Sequence, residues 1–154
     1  MFSPQQILTV FGLTATPHAQ VFWAWMALCL ALVLHVVDEA STGFLAVYNP
    51  TVKALRQKRP WLPLPVFTFA AWLAGLAALV LVLLSLSVFV WHGARWVRPL
   101  GYAFAFIMLA NGLAHVVGTI LGRTVASIRV PRPVPGFYSS PLLLLASIYL
   151  LCEL

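Results

Sequence analysis

Apolar residues fill four stretches of this chain, at about 21–48, 66–91, 99–121 and 138–154, while prolines and basic residues collect between them. A helix of about 20 apolar residues crosses the roughly 30 Å hydrocarbon core of a bilayer. The pattern predicts an all-α fold, an integral membrane bundle of about four transmembrane helices forming one membrane domain over residues 1–154. The second stretch contains no ionisable residue, as expected of a lipid-facing or scaffolding helix that contributes packing.

Punctuation residues set the expected boundaries. Asn49-Pro50 should end the first helix, and a basic loop with Lys53, Arg56, Lys58 and Arg59 should lead into the proline-rich run 60–65. Residues 122–140 hold three arginines and three prolines, which excludes a regular helix throughout and predicts an ordered or re-entrant loop. Ser140 reads as an N-cap with Pro141 at the first helical position. The final helix would then be about 21 Å long, short of a full crossing unless residues from Phe137 onward contribute. Residues 1–20, broken by Pro4, Gly12 and Pro17, are expected at the interface. They lack the basic start of a signal peptide, so the first helix is expected to be retained.

Composition agrees with the pattern. At 62% hydrophobic and 8% charged residues, the chain lacks the polar surface a water-soluble domain needs. The net charge of +6 does not point to nucleic acid, because the basic residues sit in short loops and not on an amphipathic face with interleaved aromatics. Of nine Lys and Arg residues, Arg95 and Arg98 occupy the second loop and the others the first and third. The positive-inside rule then places both termini away from the cytoplasm, in a bacterial-type inner membrane. Trp23, Trp25, Trp91 and Trp96 would form one interfacial belt, with Tyr48 and Trp61 on the cytoplasmic side. Cys29 and Cys152 lie in apolar stretches and read as packing residues. Gly118 and Gly122 form a GxxxG of the kind that brings helices together.

Against this background the run His35-Val36-Val37-Asp38-Glu39 stands out, since it holds two of the chain's three acidic residues inside an apolar stretch. A carboxylate at membrane depth costs roughly 2.5 to 3.5 kcal/mol even on translocon scales, which makes an intramembrane site the default reading. His35, Asp38 and Glu39 share one helical face, and Asn111 and His115 form a second i, i+4 pair. With the first and third helices running in the same direction, Asp38 and Glu39 lie about 26 Å along one and His115 about 24 Å along the other. The two polar faces are therefore expected to meet, putting His115 within reach of both carboxylates.

Histidine nitrogen and carboxylate oxygen are ligands for a divalent metal such as zinc or iron, whose charge would offset that of the buried acids. The expected ligands are His35, Asp38, Glu39 and His115, with Glu39, Asn111 and His115 as catalytic groups acting on a lipid or other hydrophobic substrate. Arg129, Arg132 and Tyr138 are candidate contacts for its head group. Other readings of the same residues stay open. They are a metal-free acid/base enzyme such as an isomerase, a path for protons or ions, haem ligation by His35 and His115, and a purely structural polar network. Thr42 and Thr119 extend the two faces, with hydroxyls that could simply bond back to their helices.

His35-x-x-Asp38-Glu39, Asn111-x-x-x-His115 and Pro135-Gly136 resemble, in order, the HxxEE, NxxxH and YxPG motifs of the HXXEE-domain family. The resemblance covers about residues 20–154 and implies a small bacterial-type membrane protein with a suspected enzymatic activity of unspecified reaction. This chain departs from the pattern twice. Asp38 replaces the first glutamate, and Pro133 stands in place of the tyrosine, a role that Tyr138 would have to assume.

Overall fold

A computed structural model describes residues 17–154 of the chain, and the interfacial reading of the N-terminal segment falls almost wholly outside them. Five helices follow in order: α1 (Pro17–Thr42), α2 (Leu45–Lys58), α3 (Phe69–Trp91), α4 (Val97–Leu121) and α5 (Ser140–Glu153). The described residues contain no strand, only one isolated bridge between Arg123 and Arg129. Three helices, α1, α3 and α4, are long and apolar enough to cross a membrane. The fold is an all-α membrane bundle. Most of α3 turns outward, with Leu81, Val82 and Val88 exposed, as suits a helix solvated by lipid tails.

The first apolar stretch is not one helix. Gly43, at φ +80°, takes the left-handed conformation that glycine adopts at no steric cost, and the chain turns there into α2. Pro50, expected to stop the first helix, lies inside α2. The adjacent Asn49 is engaged elsewhere. Its amide nitrogen donates to the Phe67 carbonyl at 2.9 Å, and its oxygen accepts from the Phe67 N–H at 3.1 Å. This clamp ties α2 to the segment before α3, and the expected basic loop is helical up to Lys58.

Packing also departs from expectation. The first and third long apolar helices of the sequence do run alongside one another, but they touch only narrowly: α5 is the main partner of α4, and α1 packs against α3 and α5 alike. Gly112 makes the close approach possible: a Cβ there would meet the Leu144 side chain at 3.0 Å and the Ser140 carbonyl oxygen at 3.4 Å. Gly101 does the same against Leu154. Small residues let helix backbones pack closely in lipid, where no hydrophobic force separates helix from tail. Gly122 instead caps α4 in the left-handed conformation. On the other flank, buried Trp25 donates its indole N–H to the Leu83 carbonyl at 3.0 Å and meets Phe104 edge-on at 5.4 Å.

The segment between α4 and α5 is irregular yet ordered, as its prolines require. Backbone groups away from water need partners, and threonines of the long helices supply them. Thr119 Oγ1 accepts from the Val134 N–H at 3.1 Å, and Thr42 Oγ1 accepts from the Gly136 N–H at 3.3 Å. The segment is thereby fastened across the ends of α1 and α4. It starts α5 inside the bundle, with Ser139 at the cap position and Ser140 already in the helix, one residue earlier than read from sequence.

Candidate metal centre

Helical spacing places His35 and Glu39 one turn apart on α1, and α4 brings His115 to the same level. All three are buried, at 0%, 4% and 7% exposure. His115 Nε2 lies 3.1 Å from Glu39 Oε1, and His35 Nε2 lies 3.5 Å from the same oxygen. The imidazole rings meet edge to face with centroids 4.8 Å apart. One ligand atom from each residue falls within 4.8 Å of the others, so the group could hold a metal ion.

The spacing can be tested against a metal. Zinc binds histidine nitrogen and carboxylate oxygen at about 2.0–2.2 Å, so two ligands of a tetrahedral ion sit about 3.3 Å apart. The two observed separations bracket that value. Two histidines and one carboxylate with an open position is also a donor set used by non-haem iron.

Asp38 is not part of the group. Its Oδ2 accepts from the Ser139 N–H at 2.9 Å and from the Ser139 hydroxyl at 2.8 Å. It thus supplies an acceptor for a backbone N–H at the start of α5, where a negative charge is also favoured by the helix dipole. The expected meeting of His115 with both carboxylates is therefore corrected: it meets Glu39, while the neighbouring acid faces α5.

The Asp38 contact fixes the tautomer of His35. A hydroxyl has one hydrogen, and the carboxylate is its strongest acceptor here. Ser139 Oγ must then accept from Nδ1–H of His35, at 2.8 Å. That leaves the lone pair on His35 Nε2 aimed at the centre, where Asn111 Nδ2 donates to it at 3.1 Å. A histidine whose outer nitrogen is tied through a hydroxyl to a carboxylate has the arrangement that orients metal-bound imidazoles, and an ion bound here would take the Nε2 lone pair in place of the Asn111 amide. Ser139 was not singled out from the sequence.

Pro135 and Gly136 are buried beneath this group. A Cβ on Gly136 would meet His115 Cε1 at 2.8 Å, His115 Nδ1 at 3.0 Å and Glu39 Cγ at 3.0 Å. The segment closes the site with backbone and leaves no room for a side chain.

Beside His115 and Asn111 opens a cavity of about 290 Å³, walled by Phe44, Val47, Tyr48, Val117 and Val134. Tyr48 donates its hydroxyl to the Pro65 carbonyl at 3.3 Å, and partial burial raises its pKa above the ordinary tyrosine value. The proposed head-group residues lie elsewhere. Arg129, Arg132 and Tyr138 are exposed and none of them lines this cavity, whereas Arg123 does. Cys29 is buried and Cys152 exposed, both as free thiols. No family model matches the chain, and no curated protein or solved structure matches it.

Proposed function

We propose that this chain is a membrane-embedded enzyme in which His35, Glu39 and His115 hold one zinc or iron ion beside a cavity for a lipid or other hydrophobic substrate. The carrying observation is the buried convergence of three ligand atoms, one oriented through Ser139 by Asp38. The ion would supply Lewis-acid or redox chemistry. Asn111, whose amide the ion would displace from His35 Nε2, lines the cavity and is then available to a substrate, and Pro135-Gly136 shields the centre from water. The order and spacing of these residues support membership of the HXXEE-domain family. Its PG motif then has a physical basis in the space Gly136 leaves to His115 and Glu39. We place the end of the bundle formed by residues 45–59 and 122–139, which carries seven basic residues, on the cytoplasmic side.

The direct Glu39–His115 contact at 3.1 Å favours one second reading, metal-free proton transfer between a carboxyl and an imidazole. Protein reconstituted in bilayers of total bacterial lipid separates the two. Under the metal reading, mass spectrometry should find a lipid species converted by wild type, spared after chelation, and converted again once zinc or iron is restored. His115→Ala should convert nothing. Conversion that survives complete removal of metal and is lost on Glu39→Gln would replace the metalloenzyme with the acid/base enzyme.

A further inference from the structure

The cavity beside His115 has polar groups at both ends and hydrocarbon between them. At its inner end are Asn111 and His115, and at its outer end Arg123, exposed just beyond the cap of α4. Six helical steps take the chain from His115 to the end of α4 at Leu121, about 9 Å at the helical rise, and Arg123 follows the Gly122 cap. Its lining contains no acidic side chain. Half-exposed Val117 and Leu121 border its open side on the bilayer-facing surface of α4.

From this geometry we infer that the cavity binds a single-chain amphiphile with an anionic head group at Arg123 and its apolar chain directed inward to Asn111 and His115. The volume suits one chain. At about 30 Å³ per carbon-sized group, 290 Å³ holds on the order of ten such groups within the walls, enough for one medium-length chain. The charge selects the head group: a guanidinium attracts phosphate or carboxylate, and a cationic head group would find only repulsion. Arg123 also lies at the end of the bundle that bears Lys53, Arg56 and Lys58, a cluster of cations that favours an anionic head group.

The inference rests on the proposed metal site only for what happens at the inner end. There it names the part of the substrate that reacts. With the charge held at Arg123, the atom presented to the His35, Glu39 and His115 group lies along the chain, more than a turn of helix from the head group, and not at the head-group linkage.

Photolabelling tests the binding mode. Wild type in phosphatidylcholine nanodiscs is exposed to twelve-carbon probes with a diazirine at the chain end and a carboxylate, phosphate, hydroxyl or trimethylammonium head. The carboxylate or phosphate probe should label the wall of the cavity near Ala114 and Val117, and the arm that labels more strongly identifies the head group. Labelling by the trimethylammonium probe should be weaker by about tenfold, the equivalent of one charge-assisted contact. Arg123→Gln should bring the anionic probes down to the hydroxyl level. Gly118→Leu should exclude the twelve-carbon probes, because a Cβ at Gly118 stands 3.6 Å from Val134 and the longer side chain must enter the cavity. Equal labelling by anionic and cationic probes, or labelling indifferent to both substitutions, overturns the inference. Metal content measured in the same samples keeps the two readings apart. Metal without cavity labelling removes this inference alone, and labelling without metal removes the metal site alone.

Discussion

Exchanging two glycines for alanine isolates the contact between the loop and the metal centre. Gly43 and Gly136 share nearly the same left-handed conformation, at φ +80° and +82°. An added Cβ at Gly43 meets nothing within 4 Å, while one at Gly136 meets His115 and Glu39 at 2.8–3.0 Å. Both variants incur the left-handed strain of about 1–2 kcal/mol. Only Gly136→Ala adds overpacking, typically about 1–3 kcal/mol, and it adds it against two proposed ligands. Thermal unfolding in a neutral detergent should therefore show Gly136→Ala less stable than Gly43→Ala by about 1–3 kcal/mol. Competitive titration with a chromophoric chelator should show its metal affinity lower by about 10–100-fold, the usual cost of misplacing a ligand's support, with Gly43→Ala close to wild type. Equal metal affinity in the two variants would refute the claim that Gly136 is glycine for the sake of the centre.

Three further outcomes follow from the same contacts. Ser139→Ala breaks the link between His35 and Asp38 and should weaken metal binding about tenfold or more without preventing membrane insertion, as checked by the same titration and by membrane fractionation. Asp38→Asn keeps an acceptor for the start of α5 but removes its charge. It should lower thermal stability by about 0.3–1 kcal/mol and weaken metal binding less than Glu39→Gln, with an equal loss assigning Asp38 to the ligand set after all. In a Cys29→Ala, Cys152→Ala background, cysteines placed singly at Lys53, Arg129 and Glu153 should label with a membrane-impermeant maleimide from two sides, the first two from the cytoplasm and the third from outside, and labelling of Lys53 and Arg129 from opposite sides would contradict the bundle.

The membrane class, the three long helices and the meeting of Glu39 with His115 were legible because each rests on local periodicity and depth. What escaped the sequence depends on long-range partners. Asn49-Pro50 carries a stop signal, yet the Asn49 amide is bound to Phe67 and the helix continues through Pro50. Asp38 shares a helical face with His35 and looks like a fourth ligand until α5 starts beside it with an N–H to satisfy. Ser139 has no feature to distinguish it from Ser140, since its importance comes from lying between His35 and Asp38. For Thr42 and Thr119 a bond back to their own helices was one option, and Thr42 does donate to the Asp38 carbonyl. What the sequence did not show is that both hydroxyls also accept N–H groups from the loop that closes the site.

The central claim is that His35, Glu39 and His115 form one metal site, and metal stoichiometry tests it most directly. Elemental analysis of protein purified in a neutral detergent, without chelators or a polyhistidine tag, should find about one zinc or iron per chain, as a single site of three protein ligands requires. The ion should be lost in His35→Ala, Glu39→Gln and His115→Ala and retained in Arg123→Gln. Wild type that carries no metal and takes up none from zinc or ferrous solutions, or single-ligand variants that retain a full equivalent, would contradict the account.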